Sequence, residues 1–203
     1  MNYIWINPVA RAMYGYENIK NILEAKGFMC VEAQHDWSGI VREKYGDAVR
    51  TKTGGTVVDG RCPKAYQMVK QQFCDKNLRF EDIQPILIHT AIDLSQDERY
   101  QKKKKWITTP CQCLADEGNG LHLENTEFMT WREFMRIHHI PLQAVQLQAS
   151  PIPPGFFAGL PARVNSMTKE NVITDYFAAG AYEKDDLVEL LYCQNGCHNG
   201  DGI

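Results

Sequence analysis

The chain has 203 residues, of which 44% are apolar and 23% charged, with a formal net charge of −3. That length supports one domain or two small lobes around a proper core. Gly and Pro at about 12% exclude collagen-like and low-complexity chains, the mild acidity lacks the basic footprint of a nucleic-acid binder, and no apolar run approaches the ~18 residues of a membrane span.

In chain order, Tyr3 to Ile6 reads as a short strand. Glu17 to Lys26 carries Ile19, Ile22 and Leu23 at helical spacing, with Gly27 as its stop. Phe28 to Ala33 is a second strand. Asp36 is placed to cap a helix over Trp37 to Tyr45, and Lys52 to Gly55 is a turn. Thr56 to Asp59 is a strand, after which Pro63 opens a helix carrying Ala65, Met68, Val69 and Phe73 on one face. Residues 79–105 read as mostly helix, and Trp106 to Thr109 as a strand. Thr130 with Glu133 makes a capping box for a helix through His139. Residues 149–161 form a proline-rich loop, Asn171 to Ala179 a helix and Leu187 to Tyr192 a strand. Strands alternating with helical patterns predict an α/β fold with mainly parallel sheets flanked by helices, as two small lobes with a cleft.

Seven cysteines are many for such a chain. The opening residues MNYIWINPVARAMYGYENIK show no basic stretch followed by an apolar one, so the expected compartment is the reducing cytoplasm. There, cysteines are read as metal ligands, catalytic thiols or buried hydrophobes rather than disulfides. Their placement is informative. TVVDGR runs into Cys62-Pro63, WITTP into Cys111, and LVELLY into Cys193, with Cys197 four residues on. Three predicted strands thus each deliver a cysteine at the C-terminal edge, where open α/β sheets bind ligands. Four thiolates suit zinc or an iron–sulfur cluster. Isolated Cys62 and Cys111 lack the short paired knuckles of structural zinc sites, which favours a [4Fe-4S] cluster. Gly196 and Gly200, in the loop Cys193-Gln-Asn-Gly196-Cys197-His-Asn-Gly200-Asp-Gly202, would let backbone amides face cluster sulfurs.

At these residues the sequence resembles the C-terminal, active-site domain of iron-only ([FeFe]) hydrogenases. Asp59-Gly60-Arg61-Cys62-Pro63 matches the second Cys and the Pro of the family's T-S-C-C-P motif. Thr109-Pro110-Cys111 with Glu117 matches its M-P-C-x-x-K-x-x-E motif except at the Met and Lys. Leu191-Tyr192-Cys193-x-x-Gly196-Cys197-x-x-Gly200-Asp201-Gly202 matches both cysteines and three glycines of its third motif. The resemblance implies a hydrogenase-like domain over residues 1–203, with a [4Fe-4S] cluster on Cys62, Cys111, Cys193 and Cys197. It also implies a redox partner protein, or further domains of a longer chain. The departures fall on residues that serve the family's diiron unit. Arg61 replaces its proton-carrying Cys, Leu114 its Lys, and Thr109 and Leu191 its two Met residues. The implied role is therefore electron transfer or redox or gas sensing without hydrogen chemistry. A divergent hydrogenase with a diiron subcluster bridged through Cys197, and a zinc-stabilised or metal-free interaction module, stay open as alternatives.

Other residues receive plainer readings. Cys30 and Cys74 are expected as small buried hydrophobes and Cys113 as a spare thiol near the site. His198 is either a donor to the cluster or a solvated loop residue. His138 and His139 would suit a helix C-terminus as cations. Lys102 to Lys105 form a solvated run on which an acidic redox partner could dock. Tyr14-Gly15-Tyr16 and Asp116-Glu117-Gly118 look like turns or caps. Arg61 beside a ligand is expected to raise the cluster's potential by its fixed positive charge. Neither a nucleic acid nor a membrane is expected as a partner.

Overall fold

The computed structural model describes residues 2–51 and 54–197. The chain is α/β and divides into two compact units, each built on a four-stranded, all-parallel sheet flanked by helices. Among the described residues no helix is long and apolar enough to cross a membrane.

The first unit comprises the residues up to His35, Leu87–Ile152 and Cys197. Its strands are β1 (Asn2–Trp5), β2 (Phe28–Cys30), β5 (Lys105–Thr109) and β6 (Thr126–Thr130), in the order β2-β1-β5-β6. Ile4 pairs with Trp106 and Ile107 with Phe128. Successive strand side chains point to opposite faces, so Tyr3 and Trp5 meet α5 (Ile86–Gln96) and α6 (Gln112–Gly120) on one side. Ile4 and Ile6 meet α2 (Tyr16–Ala25) and α7 (Trp131–Ile137) on the other. Between β1 and α2 lies α1 (Pro8–Tyr14), started by Asn7 and Pro8.

The second unit comprises Asp36–Ile86 and Pro153–Gly196. Its strands are β3 (Thr56–Val58), β4 (Leu78–Arg79), β7 (Val164–Thr168) and β8 (Leu187–Leu191), in the order β4-β3-β8-β7. Val58 and Val188 pack on α4 (Pro63–Gln72) and α8 (Glu170–Ala178), while Val57 and Leu187 pack on α3 (Trp37–Arg50) and Phe157.

The expected strands β1, β2, β3, β5 and β8 and the helices α2, α3, α4, α7 and α8 are present. The helix expected over 79–105 is confined to Ile86–Gln96, because the chain enters strands at Leu78–Arg79 and Lys105. Strands β4, β6 and β7 have no counterpart in the sequence reading. They are edge strands, and the half-buried VNSMT of β7 shows no clear apolar alternation. Asp116-Glu117-Gly118 is helix, not turn. Its glycine permits close packing, since a Cβ at Gly118 would collide with the Phe128 ring. The Lys52–Gly55 turn lies partly outside the described residues.

Candidate functional site

In the second unit β3 and β8 are parallel neighbours, with Val58 opposite Val188. Their chains leave the sheet at the same edge, β3 towards Cys62 and β8 through Tyr192 to Cys193. The Tyr192 amide donates to Cys62 Sγ at 3.5 Å, which brings the two expected ligands of this unit to one place. Burial pushes both thiols above their ordinary pKa. The Tyr192 amide pulls Cys62 down and the charge of Lys64 pulls Cys193 down, each more weakly than burial raises it. Lys64 Nζ sits 4.0 Å above the centre of the Tyr192 ring, and the Tyr192 hydroxyl donates to Glu170.

Cys62 is the N-cap of α4, with Pro63 at the first helical position, and the Ala65 amide of that first turn pulls its thiol down, as the Tyr192 amide does. Cys111 holds the same post on α6 in the first unit. Asn7, Asp36 and Thr130 cap with oxygen, and each accepts an amide of its first turn. Two of the expected ligands thus occupy positions where a thiol contributes little to helix stability.

Arg61 does not supply a free positive charge beside Cys62. Its side chain is 6% exposed and lies between two fully buried carboxylates. Nη2 donates to Asp59 Oδ2 at 2.8 Å and to Glu189 Oε1 at 2.7 Å, and Nε donates to both Asp59 oxygens at 3.1 Å. The guanidinium stacks 3.9 Å from the Phe156 ring centre and 4.6 Å from that of Phe157. Glu189 also accepts the Gly155 and Phe156 amides and the Ser166 hydroxyl, which ties the 153–157 loop to β8. The Arg61 guanidinium, expected as a fixed positive charge beside a ligand, is thus paired with two carboxylates. Burial pushes the Asp59 carboxyl up, and Arg61 opposes it.

In the first unit Cys111 is half-buried at the end of β5, where the Thr109 hydroxyl donates to its carbonyl at 2.9 Å. Cys113 lies in the first turn of α6, and Glu117, one turn further on, is raised by burial alone. Cys197 forms a lone antiparallel bridge with Ile152. Its amide donates to the Ile152 carbonyl at 3.2 Å, and its carbonyl accepts the Ser150 hydroxyl at 2.8 Å. Gly196, at φ +104°, donates its amide to the Cys193 carbonyl and so closes a tight turn. The amides of residues 196 and 197 donate to carbonyls. Gly200 and His198 lie outside the described residues.

The structure thus brings Cys62 and Cys193 together within the second unit, while Cys111 and Cys197 belong to the first. Among the described residues, no three His, Cys, Asp or Glu side chains form a group able to hold a metal ion. Cys30 is half-buried, with its thiol pushed up to about 11 by burial. Cys74 is exposed, contrary to the buried reading, because α4 ends at Gln72 before reaching it. The lysine run is not a uniform solvated face. Lys105 starts β5, is 1% exposed, and donates to the carbonyls of Tyr100, Gln101 and Lys103. His138 packs against Phe28, Trp106 and Phe134 and is held below its ordinary pKa by burial, so it is no helix-end cation.

Sequence reading assigned no role to Lys64 or Glu189. Lys64 stands two residues after Cys62, but its seat on Tyr192 is a long-range contact with no local signal. Fold and strand-end chemistry together define a two-unit parallel α/β protein with thiols at the C-terminal ends of its central strands. The chain matches no family model and no curated protein.

Proposed function

We propose that this protein is a hydrogenase-like iron–sulfur protein that binds a [4Fe-4S] cluster through Cys62, Cys111, Cys193 and Cys197. Its role is electron transfer or redox or gas sensing, with a redox partner protein in a reducing cytoplasm. The observation that carries the proposal is the pairing of Cys62 and Cys193 at adjacent central strand ends, with the Tyr192 amide directed at the Cys62 sulfur. Such amide-to-sulfur bonds stabilise the more negative state of a cluster. The donor set has the right chemistry, since soft thiolates select iron–sulfur clusters and zinc over hard cations.

The positions where this chain departs from the hydrogenase motifs support a role without hydrogen chemistry. Arg61, in place of a proton-carrying Cys, is locked by Asp59 and Glu189 and does not exchange protons near neutral pH. Leu114, in place of a Lys, is packed into the core of the first unit, and Thr109 and Leu191 are buried.

Anaerobic reconstitution with iron and sulfide, read by visible absorbance and EPR, tests the proposal. The wild-type chain should load, and each of Cys62→Ser, Cys111→Ser, Cys193→Ser and Cys197→Ser should lose the cluster or hold it weakly. Cys30→Ser and Cys74→Ser should load normally. Normal loading of Cys62→Ser, or elemental analysis giving zinc and no iron, overturns it.

A further inference from the structure

The long outer strands of the two sheets, β6 and β7, have their edges finished differently. In a parallel pair, alternate residues turn both N–H and C=O towards the neighbouring strand, and the residues between turn theirs away. The Lys105 amide donates to the Asn125 carbonyl, so on β6 Thr126, Phe128 and Thr130 turn outward. There the Asn119 side chain accepts the Phe128 amide at 2.9 Å and donates to the Phe128 carbonyl at 2.8 Å, and the Thr126 amide donates to the Leu123 carbonyl at 3.1 Å, which closes much of the edge. On β7, the Arg163 carbonyl accepts the Leu187 amide and the Lys169 amide donates to the Leu191 carbonyl. Asn165 and Met167 therefore face β8, while Val164, Ser166 and Thr168 turn outward. Among the described residues, no hydrogen bond engages the backbone N–H or C=O of these three. The other outer strands, β2 and β4, have three and two residues, against five in β7.

A row of outward N–H and C=O groups is a template for another strand. This one has a basic residue at each end, Arg163 just before β7 and Lys169 just after it, both exposed. Tyr176 of α8 accepts Asn165 Nδ2 at 2.9 Å, and Val172, one turn earlier on the same stripe of α8, is an exposed apolar side chain. A second copy of this chain does not suit the edge. Antiparallel self-pairing centred on Ser166 would set Arg163 against the partner's Lys169 at both ends, and opposed like charges destabilise a strand pair. We propose that the open edge of β7 is a docking site for an extended, acidic-ended segment of a partner protein, which adds to the second sheet as a fifth strand. The backbone of the segment pairs with Val164, Ser166 and Thr168, carboxylates at its two ends meet Arg163 and Lys169, and an apolar side chain on its α8 side covers Val172. The proposal stands without the cluster reading.

Fluorescence anisotropy with a short, end-blocked, labelled peptide tests the proposal. The peptide alternates Val and Thr between an Asp-Glu pair at each end. It should bind the full chain at low salt and weaken as salt is added. The same peptide with Lys-Arg pairs at its ends should bind about tenfold more weakly or worse. A version N-methylated at every residue keeps the charges and side chains but donates no backbone hydrogen bond, and should not bind. Hydrogen exchange read by NMR should show the Val164, Ser166 and Thr168 amides slowed by the peptide, with Asn165 and Met167 slow already. Lys169 sits at φ +76°, a conformation glycine adopts readily, so Lys169→Gly removes the charge without straining the chain. It should weaken binding about threefold at low salt. No binding of the acidic peptide at about 1 mM overturns the proposal, as does equal binding of the basic-ended or N-methylated version, or slowing that spares the three outward amides. A peptide-free chain that dimerises with those same amides slowed assigns the edge to a second copy and overturns it as well.

Discussion

The two units solve one local problem in two ways. In each, the first central strand runs into a helix through a similar tetrapeptide: Asn7-Pro8-Val9-Ala10 after β1, and Cys62-Pro63-Lys64-Ala65 after β3. Asn7 uses its side chain fully. Its Oδ1 accepts the Ala10 amide at 2.9 Å, its Nδ2 donates to the Thr108 hydroxyl at 3.3 Å, and its backbone amide donates to the same hydroxyl. Cys62 offers a thiol instead, which receives an amide from the neighbouring strand end and is drawn towards its thiolate by the Ala65 amide of its own first turn. The first unit places the better capping group at this position and the second a thiol, a weaker acceptor.

The largest expected effect lies in the second unit. Arg61→Leu leaves Asp59 and Glu189 buried without their cation and should destabilise by about 3–5 kcal/mol. Urea unfolding measures the loss, and hydrogen exchange should show it concentrated in β3, β8 and the 153–157 loop, with the first unit's sheet protected. Uniform loss across both sheets would mean that the units do not unfold separately.

Next comes the close approach of α6 to β6 in the first unit. Gly118→Ala drives a methyl into the Phe128 ring and should cost about 1–3 kcal/mol. The corresponding layer of the second unit is closed by the larger Ile173 and Phe177, which have no such tolerance problem.

The caps themselves give the sharpest comparison. Asn7→Ala should destabilise by about 1 kcal/mol or somewhat more, through loss of the cap and of the Thr108 bond. Cys62→Ser should change stability by less than about 0.5 kcal/mol, since a hydroxyl caps better than the thiol it replaces. Denaturant midpoints of the metal-free variants check both. Equal losses at the two positions would show that Cys62 is a structural residue.

The smallest effect is the histidine part of the pH dependence, which belongs to the first unit, since residues 36–86 and 153–196 contain no histidine. His138 is held below the ordinary 6.5 chiefly by burial, so the unfolded chain takes up the proton first. The stability contributed by the neutral ring is present above about pH 6.5 and is lost as pH falls towards the depressed folded value. Lys26 and His139 add to the depression and Glu127 opposes it. His138→Phe should flatten the acid-side fall in denaturant midpoint between about pH 7 and about pH 5.5. An unchanged slope would assign the fall to other groups.

Much of the α/β plan was legible because buried central strands carry runs such as TVVD and LVELLY, bounded by turn residues and followed by helical spacing. The edge strands β6 and β7 were not, since half of each faces away from the core and tolerates polar residues. Helix α6 was hidden by its two glycines, one of which exists for a contact with Phe128 that no local pattern records. The strand-end positions of Cys62, Cys111 and Cys193 were readable for the same reason as the strands themselves. The surroundings of the cysteines were not, and Arg61 shows why. Next to Cys62 it reads as a free charge, yet its second partner, Glu189, lies 128 residues further along.

The sequence by itself determined which segments alternate, where strands stop and that thiols follow three of them, because these depend on neighbours a few residues apart. Tertiary structure alone decided the surroundings of each charge. It paired Arg61 with two carboxylates, buried Lys105 among carbonyls, pulled His138 below its ordinary pKa and seated Lys64 on Tyr192. A charge's effect depends on its desolvation and on partners within a few ångströms, and only the folded chain brings those partners together.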